Sequence, residues 1–519
     1  MKKIITLAAF ALLIAGSAGA QTVYDAAKLT DKDLNGTARF VGMGGAMGAL
    51  GGDISTIGTN PAGIGIYRSN DVMGTMGFST MGTESSYDGK TVNSDRNRFT
   101  FDNVGIVFST KIGNETPLRY VNFGFNYHRS KSFYKNMSME GLMNTGPAPD
   151  NLILSQVNQI SSQANHTTSE LGDADSFLDN NVGWLSALGW QGYLIDKDGN
   201  GYKPILPNVP YSNFFSKESG GIDEYDFNVA LNLNDRAYLG LTIGAYDVNY
   251  SKYSSYDEDY GNGEGYNLQS WNNISGSGFD IKLGAIVRPF EELPLRIGAA
   301  IHTPTFYKLT LATSARLESD VFLNDEATTT PVNVDTYDAL DNRDMSRDFD
   351  LQTPWKYNLS LGYTVGNNLA LGAEYEYEDY SSMKFRDPDN GSSWFDYENS
   401  TVKDMTKGVS TFRIGAEYKV VPEFAFRLGY NHIAAALKTD AYKDLPYNSI
   451  NTDTDFANAA SSNNYTVGIG YRGNVFYSDL AYQYSTYKED FYPFDELYLN
   501  PTKVTNTRSQ VLLTLGMRF

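Results

Sequence analysis

The chain has 519 residues, a formal net charge of −20 and no cysteine. The acidic excess argues against nucleic acid as a partner, because its phosphates would be repelled. The absence of cysteine excludes disulfides, thiolate catalysis, thiolate metal sites and a lipid-modified N-terminal cysteine. With 37 Tyr, 28 Phe and 49 Gly, the composition suits strands, with Tyr at membrane interfaces.

Residues 1–20 read as a secretory signal. Lys2 and Lys3 precede an apolar run over 4–14, and Ala18-Gly19-Ala20 gives the small-x-small pattern of a cleavage site. The mature chain is expected to begin at Gln21. No later stretch approaches the ~18 consecutive apolar residues that a membrane helix needs, so the exported product is either soluble or a barrel.

Residues 21–70 do not read as strand. Gly42, Gly44, Gly45, Gly48, Gly51 and Gly52 surround Met43, Ala46, Met47 and Leu50, and Asn60-Pro61-Ala62-Gly63 follows. Small residues permit closely packed backbone. A wide barrel leaves a lumen that wall side chains cannot fill, and this segment has the size to plug it.

From about residue 72 the pattern has period two. The third candidate strand, 119–133, puts Val121, Phe123, Phe125 and Tyr127 on one face and Asn122, Gly124, Asn126 and His128 on the other. A long insertion over 142–222 follows, with helix-like spacing over 151–163 and 176–194; it either binds ligand or caps the barrel. Within it, Asp196, Asp198 and Asn200, with Gly201, copy the first half of an EF-hand calcium loop. Pro207 stands where a bidentate Glu is required, so the stretch is either a calcium-binding turn or a plain Asp/Asn/Gly turn.

Later strands repeat the alternation. Tyr357, Leu359 and Leu361 oppose Asn358, Ser360 and Gly362; Leu371, Tyr375 and Tyr377 oppose Glu374, Glu376 and Glu378. Arg413 and Arg427 lie on nearby strands with the same lumen parity. The last strand sets Val511, Leu513, Leu515, Met517 and Phe519 against Leu512, Thr514, Gly516 and Arg518. About fourteen strands result. Short turns alternate with longer polar loops at 86–96, 142–222, 251–268, 317–347, 386–406, 438–463 and 488–507. Short periplasmic turns and longer outer loops are the signature of an outer-membrane barrel. The expected organisation is therefore a signal at 1–20, a plug at 21–70 and an all-β transmembrane antiparallel barrel over 71–519.

Three motifs, Gly42-Met43-Gly44-Gly45-Ala46, Gly52-Asp53 and Asn60-Pro61-Ala62-Gly63, together resemble the N-terminal hatch of the FadL-type outer-membrane transporters of long-chain fatty acids and aromatic hydrocarbons. Leu351-Gln352-Thr353-Pro354-Trp355, Arg413-Ile414-Gly415-Ala416-Glu417-Tyr418 and Arg427-Leu428-Gly429-Tyr430 are similar to stretches that recur in that family. The resemblance spans the mature chain; the long loops do not align. It implies passive uptake of a hydrophobic solute, captured by outer loops, held in an upper-lumen pocket and released sideways through a kinked third strand when the hatch shifts. Phe40, Met43, Met47, Asn60, Pro61, Ala62 and Gly63 are the expected hatch and ligand residues, beside an apolar pocket. Gly124 and Asn126 mark the expected lateral opening, although an ordinary lumen-facing glycine reads the same way.

The implied partners are a hydrophobic small molecule, outer-membrane lipid and the barrel-assembly machinery acting on the C-terminal strand; no cofactor is called for, and a monomer is expected. Rival readings are an adhesin or scaffold, a barrel phospholipase or protease, and haem uptake. No Ser/His/Asp arrangement and no His ligand spacing supports the last two.

Overall fold

The structure, a computed structural model, describes residues 20–143, 153–205, 209–322, 329–389 and 391–519. Residues 1–19 of the signal expected at 1–20, part of the insertion and Pro207 lie outside these residues. Fourteen antiparallel strands close a barrel. We number them in chain order: β1 Asp71–Tyr87, β2 Lys90–Lys111, β3 Leu118–Ser132 with Lys135–Leu142, β4 Tyr211–Leu233, β5 Ala237–Asp259, β6 Gly265–Val287, β7 Leu295–His302 with Phe306–Val321, β8 Met345–Gln352 with Lys356–Val365, β9 Leu369–Asp379, β10 Gly408–Val421, β11 Phe424–Ile433, β12 Ser462–Arg472, β13 Phe476–Tyr492 and β14 Thr502–Arg518. β14 pairs with β1 from Asp71↔Arg518 to Ser86↔Lys503, and Phe519 exchanges backbone bonds with Asn70. The last strand thus pairs with the first and closes the sheet on itself, which suits a barrel whose backbone faces lipid.

The alternation sorts as its parity implies. Leu359 is 61% exposed and Leu428 64%, on a wall face that also carries Phe123, Phe227 and Leu515. Their neighbours Asn358, Glu374, Glu376 and Arg427 are buried inside. The strands run further outward than their apolar pattern. The expected loop at 86–96 is a ladder from Lys90 upward, and β4 begins at Tyr211, inside the expected insertion. Over 90–98 of β2 nearly every residue is polar on both faces, so the period-two signal fades while the hydrogen bonds continue.

The N-terminal segment occupies the lumen, with helix Val23–Thr30 higher and residues 34–70 in the lower part. Helix Val23–Thr30 starts at Thr22, whose N–H and hydroxyl both donate to Asp25. Helix Ala38–Gly42 is capped by Thr37, and two 3-10 turns, Ile54–Gly58 and Pro61–Ile66, are capped by Asp53 and Asn60. Pro61 occupies the first position of its turn, where no N–H is needed. Gly51 and Gly52 have φ of +61° and +69°, conformations that strain any residue with a side chain.

A ring of inward-facing wall glycines receives this plug. A Cβ at Gly372 would lie 2.0 Å from Ala46 O, at Gly415 2.3 Å from Met43 O, at Gly429 2.1 Å from Gly44 N, and at Gly284 2.1 Å from Asn60 Oδ1. Backbone therefore packs directly on backbone, which accounts for glycine alternating with large apolar residues on these strands.

Candidate ligand cavity and wall seam

The plug is held by ion pairs that leave little charge unmatched. Arg39 makes a two-pronged contact with Glu417 at 2.8 and 3.0 Å and donates to Gly52 O. Glu417 also accepts from Arg427, which reaches Asp479 at 2.7 Å. Glu374 accepts from Gly48 N at 3.0 Å and from Arg413 at 2.7 Å. Asn60 accepts from Ala62 N and donates to Ala285 O, and Asn228 donates to Pro61 O. Phe40, Met43, Met47, Asn60, Pro61, Ala62 and Gly63 are thus all seated against the wall or within the plug, and none lines the cavity above. The cavity expected beside them is lined by other residues instead.

The cavity lies higher, with a volume of about 380 Å³. Helix Val23–Thr30 contributes Tyr24 and Lys28, the wall contributes Met137, Tyr250 and Phe349, and the outer segment between β11 and β12 contributes Phe456. That segment folds into the mouth, where Lys252 holds Asp453 at 2.6 Å and Asp455 at 2.8 Å. Helix Asp396–Met405 packs near helix Val23–Thr30, and burial raises its Glu398 carboxyl to about 7.

The insertion caps this mouth. Its helix Trp184–Gln191 is buried, and Trp184 N donates to Ser449 O at 3.0 Å. None of residues 153–205 lines the cavity. Asp196–Gly201 forms a tight hairpin, with Ile195–Asp198 paired to Gly201–Pro204 and Gly199 at φ +59°. In place of the loop between two helices that an EF-hand requires, Asp196 and Asp198 stand on a β-strand and Asn200 in the two-residue turn that follows it. His128, Glu224 and Asp226 do converge inside the wall. The Lys282 ammonium already sits between the two carboxylates, 2.7 Å from Asp226.

One side of the cavity meets a break in the wall. β2 and β3 pair from Lys111↔Tyr120 to Asn103↔His128 and no further. Gly124 lies inside this ladder, opposite Val107 on one side and Asn228 on the other, without a register shift. Its open face receives Ile57 and Ile64 of the plug, and Asn126 accepts from Asn103 at 2.6 Å. This corrects the expected opening at Gly124 and Asn126. The wall instead departs from regular pairing higher, between Arg129 and Lys131, where the β3–β4 register shifts.

The cause is the plug. Asp33 N donates to Ser130 O at 2.8 Å, Asn35 donates to Arg129 O at 3.0 Å, and Asp33 Oδ2 accepts from Ser132 N at 3.1 Å. Plug residues thus take the β3 edge that β2 would otherwise occupy. Burial alone would raise the Asp33 carboxyl, but Lys131 and Arg508 beside it hold it below the usual range. Above this point the seam is closed by side chains: Ser94 Oγ is 3.1 Å from Ser138 Oγ, and the Arg96 and Arg98 guanidinium groups lie 4.4 and 3.7 Å from the Tyr134 ring centre. Arg96, Arg98 and Tyr134 also line the cavity. Sequence reading missed Asp33, Asn35 and the 129–134 segment. A polar run ending the Phe-rich stretch was visible, but its partner lies about a hundred positions away.

The fold and cavity define a class: a closed transmembrane-type barrel of fourteen strands with an internal N-terminal plug. No protein-family model matches the sequence, and no curated protein does. Among solved structures, a FadL homologue of Pseudomonas aeruginosa is similar over 97% of this chain and 100% of its own, with TM-score 0.52 and 12% identity. The Pseudomonas putida toluene transporter TodX covers 94% of this chain and 100% of its own at 10% identity and TM-score 0.47. The Ralstonia pickettii toluene transporter TbuX covers 94% and 99% at 14% identity and TM-score 0.45. The likeness is one of fold: the chain has the plugged-barrel fold of the FadL type.

Proposed function

We propose that this protein is an outer-membrane passive transporter of hydrophobic small molecules. The mature chain starts at Gln21, and the barrel works as a monomer after the assembly machinery inserts it by its C-terminal strand. The solute passes the outer loops, rests in the cavity above the plug, and leaves sideways between β2 and β3 into the outer leaflet. An apolar solute gains free energy at each step away from water, so its own gradient is sufficient. One observation carries the reading: the cavity borders the seam where the β2–β3 ladder stops, and the plug backbone itself holds the β3 edge there. Movement of Asp33 and Asn35 would therefore couple plug displacement to release of the edge.

The chain contains no cysteine, which makes a crosslink test clean. In a Ser94→Cys, Ser138→Cys variant, oxidation should staple the seam. Uptake of a radiolabelled hydrophobic compound by cells should then fall at least tenfold and recover on reduction. Unchanged uptake with the crosslink fully formed would rule out the seam as the exit. Fatty acids and aromatic hydrocarbons would both find aromatic surface in the cavity, at Tyr24, Phe133, Phe349 and Phe456, and native mass spectrometry of the detergent-purified barrel should identify what it carries.

A further inference from the structure

Gln21 sits at the cavity, buried, with its carboxamide turned toward Ala20: Oε1 accepts from Ala20 N at 3.3 Å, a partner that cleavage after Ala20 removes. The other end of that amide, Nε2, has no hydrogen-bond partner among the described residues. A buried amide N–H₂ left unpaired is costly. The surroundings are also unfavourable to a new positive charge. Nine lysines and arginines line the cavity against seven aspartates and glutamates. The carboxylate nearest in sequence, Asp25, is already engaged by the Thr22 N–H and hydroxyl. Neither Arg96 nor Arg98 makes an ion pair among the described residues.

We propose that the mature N-terminus is a pyroglutamate formed from Gln21 and that this neutral ring is part of the cavity wall. The proposal rests on cleavage after Ala20. Once the peptide bond to Ala20 is hydrolysed, the Gln21 α-amine lies beside its own side-chain carboxamide. Its nitrogen attacks Cδ, a new C–N bond closes a five-membered lactam, and the bond from Cδ to Nε2 breaks. Ammonia leaves with the proton from the α-nitrogen. No oxidant, reductant or co-reactant is needed. The reaction removes two liabilities together: the unpaired Nε2 departs, and the α-ammonium that would add to an already cationic cavity becomes a neutral amide. The Asn451 side chain, which donates to Ala20 O at 3.2 Å, is left free for the lactam carbonyl.

The test is peptide mass spectrometry on barrel purified from outer membranes, with amine labelling before digestion. The expected N-terminal peptide begins at residue 21, is one ammonia lighter than its sequence and takes no label. It should resist pyroglutamyl aminopeptidase in the folded barrel and be cleaved after denaturation, because the ring is enclosed. A peptide beginning with a labelled, intact Gln21 would overturn the lactam while leaving the cleavage site correct. A different first residue would overturn the cleavage reading itself. Removal of the ring from the folded barrel would overturn its place in the cavity. A Gln21→Ala variant supplies the control, since it should carry a labelled amine.

Discussion

The lower and upper halves of the lumen are built on opposite rules. Below, plug and wall meet backbone to backbone at Gly372, Gly415 and Gly429, and charged groups such as Arg39, Glu417, Arg427 and Asp479 interlock. Above, loops and helices enclose about 380 Å³ of space, and the wall loses its ladder between β2 and β3. The difference teaches how one barrel can be a seal and a passage. Close packing excludes water at the bottom, and the stored irregularity that permits movement is confined to the top.

The comparison breaks first at Glu417. A Glu417→Ala variant leaves Arg39 and Arg427 facing each other without their shared carboxylate, a loss of about 3–5 kcal/mol for a buried pair. Plug release should appear as ion conductance in planar bilayers, where the parent is closed; a silent variant would mean the ion pairs do not hold the seal. A smaller effect is expected at Gly372. A methyl group there overlaps Ala46 O, and overpacking of this kind costs about 1–3 kcal/mol. Gly372→Ala should lower the melting temperature and give intermittent conductance.

The smallest effect belongs to the upper half. Glu398 titrates near 7 in the folded loop, because burial disfavours its charge. A carboxyl raised above its unfolded value contributes no penalty in acid. Stability is then lost as pH rises from the unfolded value, about 4.3, through the folded one. Amide exchange in helix Asp396–Met405 should therefore accelerate by up to about 75-fold beyond the intrinsic rate between pH 5 and pH 8. Glu398→Gln should abolish that excess, while plug amides show none of it.

Much of the fold was legible because alternation is a local property. Leu359 and Asn358 face opposite ways whatever surrounds them, so strand number, facing and closure at Phe519 follow from spacing. The plug was legible from Gly42–Gly52 and Asn60–Gly63 because glycine and proline declare backbone needs that strands do not have. The site was less so. Met43 and Asn60 are conspicuous in sequence and serve the seal, whereas the cavity is assembled from Tyr24, Phe133, Phe349 and Phe456, which look like any other aromatic residues.

The sequence by itself therefore determined a closed, polar-lined barrel with a compact N-terminal segment, since period-two patterning and backbone chemistry act between near neighbours. Only the tertiary structure decided where that barrel is sealed and where it is loose. Gly124 announces a weak point, yet its ladder is intact because Ile57 and Ile64 cover it. The ladder stops instead at Arg129 and Ser130, whose carbonyls are taken by Asn35 and Asp33. Competition for a strand edge between residues a hundred positions apart is settled by proximity in the folded chain, which no local pattern records.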